Sequence, residues 1–404
     1  MHDEPSRMLG LAGLRITRVI VRDDDALDLE VEGVARGDRC PHCGGCELEI
    51  KERPVVGVRD LPLAGRAMRL LWRKRRWRCR GCGRTHTEQH PALPSRQRVT
   101  GRFRERLAAR AAGGGAHAEI AREEHTSRYQ VGRAMGSVAL APTAIVRRLS
   151  LDEAHHRRGR ELATVISDLD RRRVVEVLDG RSQKVVAGYL QSLPEGHRQA
   201  IQIVSIDPYE AYRQAIRNEL PGARIVCDRF HLVRGANTAC DAVRRERQRQ
   251  AGRARPKGVR RSGQLATWRP ELYRARRLLA KARERLSEQE RRRLCELFAT
   301  DPVIGAAWGL KESFRAIYRA PDRVEAEARL DRFLGAVDRE MLPSFSSFAI
   351  GVRQWREELL AYFEEPTTNG YAEGVINKVK VIKRRAYGLP SFQSFRHRVL
   401  VACG

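Results

Sequence analysis

Asp152, Asp207 and Glu373 occupy settings that one kind of chemistry unites. Asp152 follows Leu149-Ser150-Leu151, Asp207 ends the apolar run from Ile201 to Ile206, and Glu373 lies far downstream on a basic amphipathic stretch. Carboxylates at two strand ends and on a helix are the donor set of a two-metal phosphoryl-transfer site, because hard divalent cations take oxygen ligands and need negative charge around them. Asp228 closes Ile225-Val226-Cys227 much as Asp207 closes its own run, so it is read as a fourth acidic ligand or a group orienting one. His231 is read in the same role or as a satisfied core histidine. Glu153 should point away from Asp152, since successive strand residues face opposite sides. Asp168 and Asp170 read as turn formers.

A second constellation is Cys40-Pro41-His42-Cys43 and Cys79-Arg80-Gly81-Cys82, two pairs separated by 35 residues. Each pair presents two thiolates from one turn, and four thiolates complete a tetrahedral Zn²⁺ shell with no open position, so the expected zinc is structural. Cys46, His42, His86 and His90 are substitute ligands of lower rank. Cys227, Cys240, Cys295 and Cys403 are expected to be buried or semi-buried thiols.

The elements that must position these groups follow from periodicity. A short hairpin is expected from 12 to 34, turning at Arg22-Asp23-Asp24-Asp25, followed by a zinc ribbon containing one strand-like stretch from Met68 to Trp77. Phe103, Leu107, Ala108 and Ala111 share helical spacing, Gly113-Gly114-Gly115 breaks that helix, and two more helices are expected at 116–124 and 127–140. The last pair reads as a helix-turn-helix, with Arg128, Gln130 and Arg133 pointing away from the apolar face of Val131, Ala134, Met135 and Val138. From 148 the pattern switches to α/β, with strands at 149–154, 162–168, 174–178, 201–206 and 224–227 and helices at 183–193 and 209–219. The first three strands should form an antiparallel meander and the last two should be parallel, making the first and fourth neighbours and setting Asp152 beside Asp207. Residues 235–365 read as an Arg-rich helical insertion. On the following helix Asn369, Glu373, Asn377, Lys380 and Arg384 make one polar stripe beside the apolar Val375, Ile376, Val379 and Ile382. The segments are therefore 1–37 hairpin, 38–94 zinc ribbon, 95–147 helix-turn-helix, 148–234 first part of an α/β core, 235–365 insertion and 366–404 core helix.

The chain has 404 residues, with 78 Lys and Arg against 50 Asp and Glu and a net charge of +28. Such an excess calls for a polyanion, and its spread along the whole chain argues against a mere basic tail. Between 241 and 260 there are eight positive and two negative residues, including Arg244 and Arg245. Like charges repel along a helix unless an anion neutralises them, so this run is read as a surface tracking a DNA backbone. No apolar run is long enough to span a bilayer, and the N-terminal residues lack the order of a secretory signal, so a cytoplasmic, nucleoid-associated protein with no membrane partner is expected.

Certain stretches resemble the bacterial insertion-sequence transposases of the ISL3 family, and the resemblance covers nearly the whole chain. It rests on the two cysteine knuckles, Leu151-Asp152-Glu153, Ser205-Ile206-Asp207-Pro208-Tyr209-Glu210-Ala211-Tyr212 and Ile225-Val226-Cys227-Asp228-Arg229-Phe230-His231. The longest match runs from Asn369 through Lys380 and on through Lys383-Arg384-Arg385-Ala386-Tyr387-Gly388. The resemblance implies an α/β fold with an RNase H-like, mixed five-stranded sheet, a DDE triad of Asp152, Asp207 and Glu373, and a helical insertion before the glutamate. It implies a transposase using two Mg²⁺ (or Mn²⁺) ions, about 3.5–4 Å apart in such sites, for hydrolysis and strand transfer. Double-stranded DNA, as element ends and as target, is the implied partner, contacted by the helix-turn-helix, the insertion and Asn377, Lys380, Lys383 and Arg384. Pairing two ends implies a homodimer or larger assembly on DNA. Two other classes share these elements: a zinc-ribbon DNA-binding regulator with an inactive core, against which the intact carboxylates argue, and an RNase H-like nuclease that cuts without joining.

Overall fold

The computed structural model describes residues 6–7, 9–35, 39–93, 98–140, 144–156, 161–253, 270–367, 370–386 and 391–404. The chain divides into two compact units, one made of residues 1–141 with 379–404 and the other of 142–378.

In the first unit, β1 (Leu14–Val21) and β2 (Leu27–Gly33) pair antiparallel across the charged turn, where Arg22 holds Asp24 at 2.9 Å. After β3 (Leu48–Glu52), β4 (Val55–Leu63) and β5 (Arg66–Arg73) return to this hairpin, giving the order β1-β2-β5-β4. Leu27, Leu29 and Val31 with Met68, Leu70 and Trp72 form its buried face, the period-two pattern of a half-buried sheet. The stretch from Met68 to Trp77 is two strands rather than one. β5 ends at Arg73, and β6 (Arg76–Cys79) joins β3 and β7 (Thr85–Thr87) in a separate three-stranded sheet. The break lies at Lys74-Arg75, where Glu88 accepts from the Arg75 backbone N–H at 2.9 Å and from its Nε at 3.1 Å and so turns the chain.

Three helices follow: α1 (Gly101–Ala112), α2 (His117–Glu123) and α3 (Arg128–Gly136). Thr100 caps α1, accepting from Phe103 N and donating to buried Asp60 at 2.7 Å; Ser127 caps α3. The third helix stops at Gly136, short of the expected 140. Phe103, Leu107, Ala111, Ile120, Val131, Ala134 and Met135 make one small core.

In the second unit, β8 (Arg148–His155), β9 (Leu162–Asp168), β10 (Arg173–Asp179), β11 (Ile203–Ile206) and β12 (Arg224–Cys227) form a mixed sheet in the order β10-β9-β8-β11-β12. The first three are antiparallel, and β11 is parallel to both β8 and β12. This is the arrangement expected from the sequence. Leu149, Leu151, Val204 and Ile206 share a core with α4 (Gln183–Ser192) and α6 (Glu210–Glu219), the short α5 (Glu195–Ala200) lying between them in sequence. The other sheet face carries a row of buried serines, Ser167, Ser150 and Ser205, in register on neighbouring strands.

Helices α7 (Arg229–Arg253), α8 (Pro270–Arg274), α9 (Arg276–Ala280), α10 (Glu288–Thr300), α11 (Pro302–Ile317), α12 (Arg323–Glu340), α13 (Pro343–Gln354) and α14 (Arg356–Leu360) come next. Their apolar residues, from Leu232 through Phe314 and Phe333 to Leu360, join the core of the sheet. The four arginines of the charge run whose side chains are described find their anions within the protein. Arg244 is buried and donates to Asp241 at 2.7 Å, Arg245 pairs with the same carboxylate, Arg247 reaches buried Asp301 at 3.0 Å, and Arg249 pairs with Glu246. Asp241 and Glu246 lie one helical turn from their arginines, so the repulsion anticipated from the sequence is locally relieved. Helix α15 (Gly370–Arg385) begins in the second unit and ends in the first, with Val375, Ile376, Val379 and Ile382 buried. Helix α16 (Phe392–Cys403) belongs to the first unit, where Val401 packs on the three-helix core.

Candidate functional site

The register of the second sheet assembles the acidic cluster. Ile206 lies opposite Leu151 on one side and Cys227 on the other, so the next residues, Asp207, Asp152 and Asp228, emerge together at the same sheet edge. The Asp228 N–H donates to Ile206 O at 2.9 Å, which continues the ladder one step beyond the strand. His231, in the first turn of α7, points its Nδ1 back at both aspartates, 2.7 Å from Asp207 Oδ1 and 2.9 Å from Asp228 Oδ2. The aligned hydrogen bond goes to Asp228; Asp207 Oδ1 is buried with an ion-pair contact but no aligned donor.

The electrostatics follow from this crowding. The carboxylate of Asp207, then that of Asp228, raises the His231 pKa to about 10 against the opposing effect of burial. Asp152 is raised to about 6, first by burial and then by the charge of Asp207, with His231 pulling it down. A site in which carboxylates repel and one oxygen lacks a donor is short of positive charge. Ligand atoms of Asp207, Asp228 and His231 lie within 4.8 Å of one another, so the donor set fits a divalent cation. Asp152 stands next to this trio rather than inside it. Glu373 belongs by its backbone to the first turn of α15; its side chain, like residue Asn369, lies outside what is described. Glu153 turns away and pairs with Arg181 at 3.0 Å, as strand alternation requires. Asp168 accepts from the backbone N–H groups of Asp170 and Arg171 at 3.0 Å each, the role of a turn former.

The cysteine pairs meet by local geometry. In each knuckle the glycine after the second cysteine has positive φ, 76° at Gly44 and 70° at Gly83, and donates to the carbonyl of the first cysteine at 2.9 Å. A side chain is strained in that conformation, which is why glycine stands there. Across the knuckles Cys40 Sγ is 3.7 Å from Cys82 Sγ, and Cys43 Sγ is 3.6 Å from Cys79 Sγ. These separations match the edge of a tetrahedron with Zn–S bonds of about 2.3 Å. Cys46 is exposed and outside the cluster, and His90 is engaged with the Ala12 carbonyl and the Ala92 N–H. Of the remaining cysteines, Cys295 is exposed, a departure from the expected burial; its position on the α10 surface gives it no core partner.

A family model described as a transposase, of the ISL3 DDE type, matches residues 149–399. The chain belongs to the ISL3 family of insertion-sequence transposases. A second model, the zinc finger of the IS204/IS1001/IS1096/IS1165 transposases, matches residues 36–82 of this transposase and contains all four clustered cysteines, which supports a structural zinc. It is 27% identical over 401 residues to the transposase for insertion sequence element IS1001 of Bordetella parapertussis, covering 97% of this chain and 96% of that one. It is 30% identical over 261 residues to the transposase for IS1557 of Mycobacterium tuberculosis, covering 62% of this chain and 59% of that one. No helix among the described residues is long and apolar enough to cross a membrane.

Of the residues expected to meet DNA, Arg128 and Arg133 are exposed on α3 and Gln130 is half-buried beside them. Asn377, Lys380 and Arg384 are exposed on α15 and Lys383 partly so. Arg244 is the exception, turned inward as described above. Missing from the sequence reading was any role for α16, whose residues combine apolar and cationic types with no motif to mark them.

Proposed function

We propose that this transposase cuts and joins DNA at the ends of its insertion sequence, using a DDE-type acidic site on an RNase H-like core. The observation that carries the reading is the emergence of Asp152 and Asp207 from adjacent parallel strands, with Asp228 and His231 against them. The five-stranded mixed sheet supports the RNase H-like assignment. In this reading Asp152, Asp207 and Glu373 hold two Mg²⁺ (or Mn²⁺) ions, Asp228 serves as a further acidic ligand, and His231 orients the two aspartates it touches. Bound there, the ions supply Lewis-acid charge at phosphodiester oxygens and a nucleophile at neutral pH.

Recognition of the terminal inverted repeats falls to the zinc ribbon and to α3, read as the second helix of a helix-turn-helix, whose Arg128, Gln130 and Arg133 suit base edges and phosphates. Arg245, Asn377, Lys380, Lys383 and Arg384 add backbone contacts, and a dimer or larger assembly holds two ends together in the cytoplasm, at the nucleoid. The test is a strand-transfer assay with a pre-cut end and a supercoiled plasmid. Mg²⁺-dependent joining that disappears in Asp152→Asn and Asp207→Asn supports the proposal. Cleavage without joining points instead to a nuclease, and end binding with neither activity to a regulator.

A further inference from the structure

Within the first unit, α2, α3, the end of α15 and α16 enclose an open groove of about 1240 Å³. Five arginines line it, Arg122, Arg128, Arg133, Arg385 and Arg398, against one carboxylate, Glu119. Among the described residues none of the five makes an ion pair, in contrast to Arg244, Arg245, Arg247 and Arg249 of α7, which take acidic partners from their own helix or from Asp301.

Arg398 is the unusual member. It is only 3% exposed, its terminal nitrogen donates to the Gly115 carbonyl, and its Nε is buried with no partner. His117 Nε2, in the same wall, is also buried and unpartnered. Burial, then the charges of Arg398 and Arg128, lowers His117 to about 4, so the imidazole is neutral at physiological pH and brings a polar ring without further repulsion. A buried guanidinium without a counter-anion is costly, and its planar fork matches the oxygens of a phosphate. The groove is larger than one phosphate needs, and it runs beside the exposed residues of α3, so its chemistry fits a continuous phosphodiester strand.

We propose that the C-terminal helix completes a phosphate-backbone clamp in the N-terminal unit. A duplex engaged by α3 lays one strand in the groove, between Arg122 and Arg128 on one wall and Arg385 and Arg398 on the other. This rests on the reading of α3 as a DNA-binding helix and extends it to residues beyond the catalytic glutamate. The bland alternative is that Arg398 only ties α16 to the glycine break at Gly115.

Binding of the full-length protein to two fluorescent duplexes, one carrying the terminal repeat and one of arbitrary sequence, would be followed across a salt series. Arg385→Ala and Arg398→Gln should weaken both duplexes equally, by about fivefold each near 0.15 M salt, and flatten the log-log slope by about 0.9 per lost contact. Zinc content and the thermal midpoint report folding; should Arg398→Gln misfold, the exposed Arg385→Ala decides. An unchanged slope in folded Arg385→Ala, with the wild type still binding, overturns the clamp and leaves the α3 reading standing. Loss of discrimination in Gln130→Ala with no change of slope upholds that reading on its own. A wild type that binds neither duplex overturns both.

Discussion

The zinc site and the acidic site gather the same number of conspicuous residues by opposite routes. Each half of the zinc site is made within a few residues by a glycine turn and two backbone hydrogen bonds, and only the meeting of the two knuckles is tertiary. In the acidic site, Asp152, Asp207 and Asp228 come from separate strands; the contact of His231 with Asp228 is local, but the register of three parallel strands brings the aspartates together. Thiolates held by turns make a closed structural shell, whereas the carboxylates are crowded by strand register, Asp207 and Asp228 just past β11 and β12 but Asp152 inside β8, which runs three residues beyond it rather than ending there as expected. The difference teaches that two ligand clusters of equal size can differ in kind: local turns fix the thiolates, whereas strand register leaves the carboxylates electrostatically frustrated, as groups at reactive sites commonly are.

The sharpest way to break this comparison is to remove one ligand from each. Cys79→Ser should abolish zinc binding, forfeiting on the order of 10 kcal/mol of coupled folding energy, and unfold the β3-β6-β7 sheet. Zinc content by emission spectroscopy should fall to none, while near-ultraviolet signals from Trp308 and Trp355 in the second unit persist. Retained stoichiometric zinc would show that another residue completes the shell. Asp207→Asn should do the reverse, leaving zinc and fold intact while DNA cleavage falls roughly a thousandfold or more, as loss of several kcal/mol of metal-dependent stabilisation requires. Turnover near the wild-type rate would remove Asp207 from the site.

A half-buried and a buried carboxylate, Asp152 and Glu124, refine the comparison by titrating in opposite senses. The folded pKa of Asp152 is raised from 3.8 to about 6, so its contribution to stability is full below pH 4 and is lost as pH rises through 6. Without added divalent ions this loss amounts to about 3 kcal/mol, and Asp152→Asn should abolish it, a difference visible in urea midpoints at pH 4 and pH 7. An equal pH response in wild type and variant would mean that the carboxylate is not strained. Glu124 is buried, and burial raises its pKa, but hydrogen bonds from Arg106 and then Arg110 outweigh this and leave it lowered. Its contribution is therefore present above pH 4.5 and lost as pH falls through the lower folded value. Glu124→Gln should cost about 2 kcal/mol at pH 7, with the deficit shrinking in acid, because the partner arginines remain partly solvated. A deficit that persists unchanged in acid would assign the loss to packing.

Much of the acidic site was legible because its signals are local: apolar alternation in Leu149-Ser150-Leu151 and Ile203-Val204-Ser205-Ile206 marks strands, and short turns favour a meander. The break at Lys74-Arg75 was not, since both flanks read as strand and the turn depends on Glu88, thirteen residues away. The fate of Arg244 was equally hidden. A charge run looks the same whether it faces solvent or, as here, folds one guanidinium inward beside Asp241.

By itself the sequence determined the cysteine turns, the strands of the five-stranded sheet, the three helices after residue 100, the excess of positive charge and the family, because each depends on residue types at short, fixed spacings. Only the tertiary structure decided that His231 stands between two aspartates, that the apolar residues of the helical insertion join the core of the sheet, and that residues 379–404 return to the N-terminal unit. His231 reaches Asp228 within one helical turn, but its meeting with Asp207 and the other pairings join residues far apart along the chain, and packing of whole apolar faces, rather than any local preference, selects them.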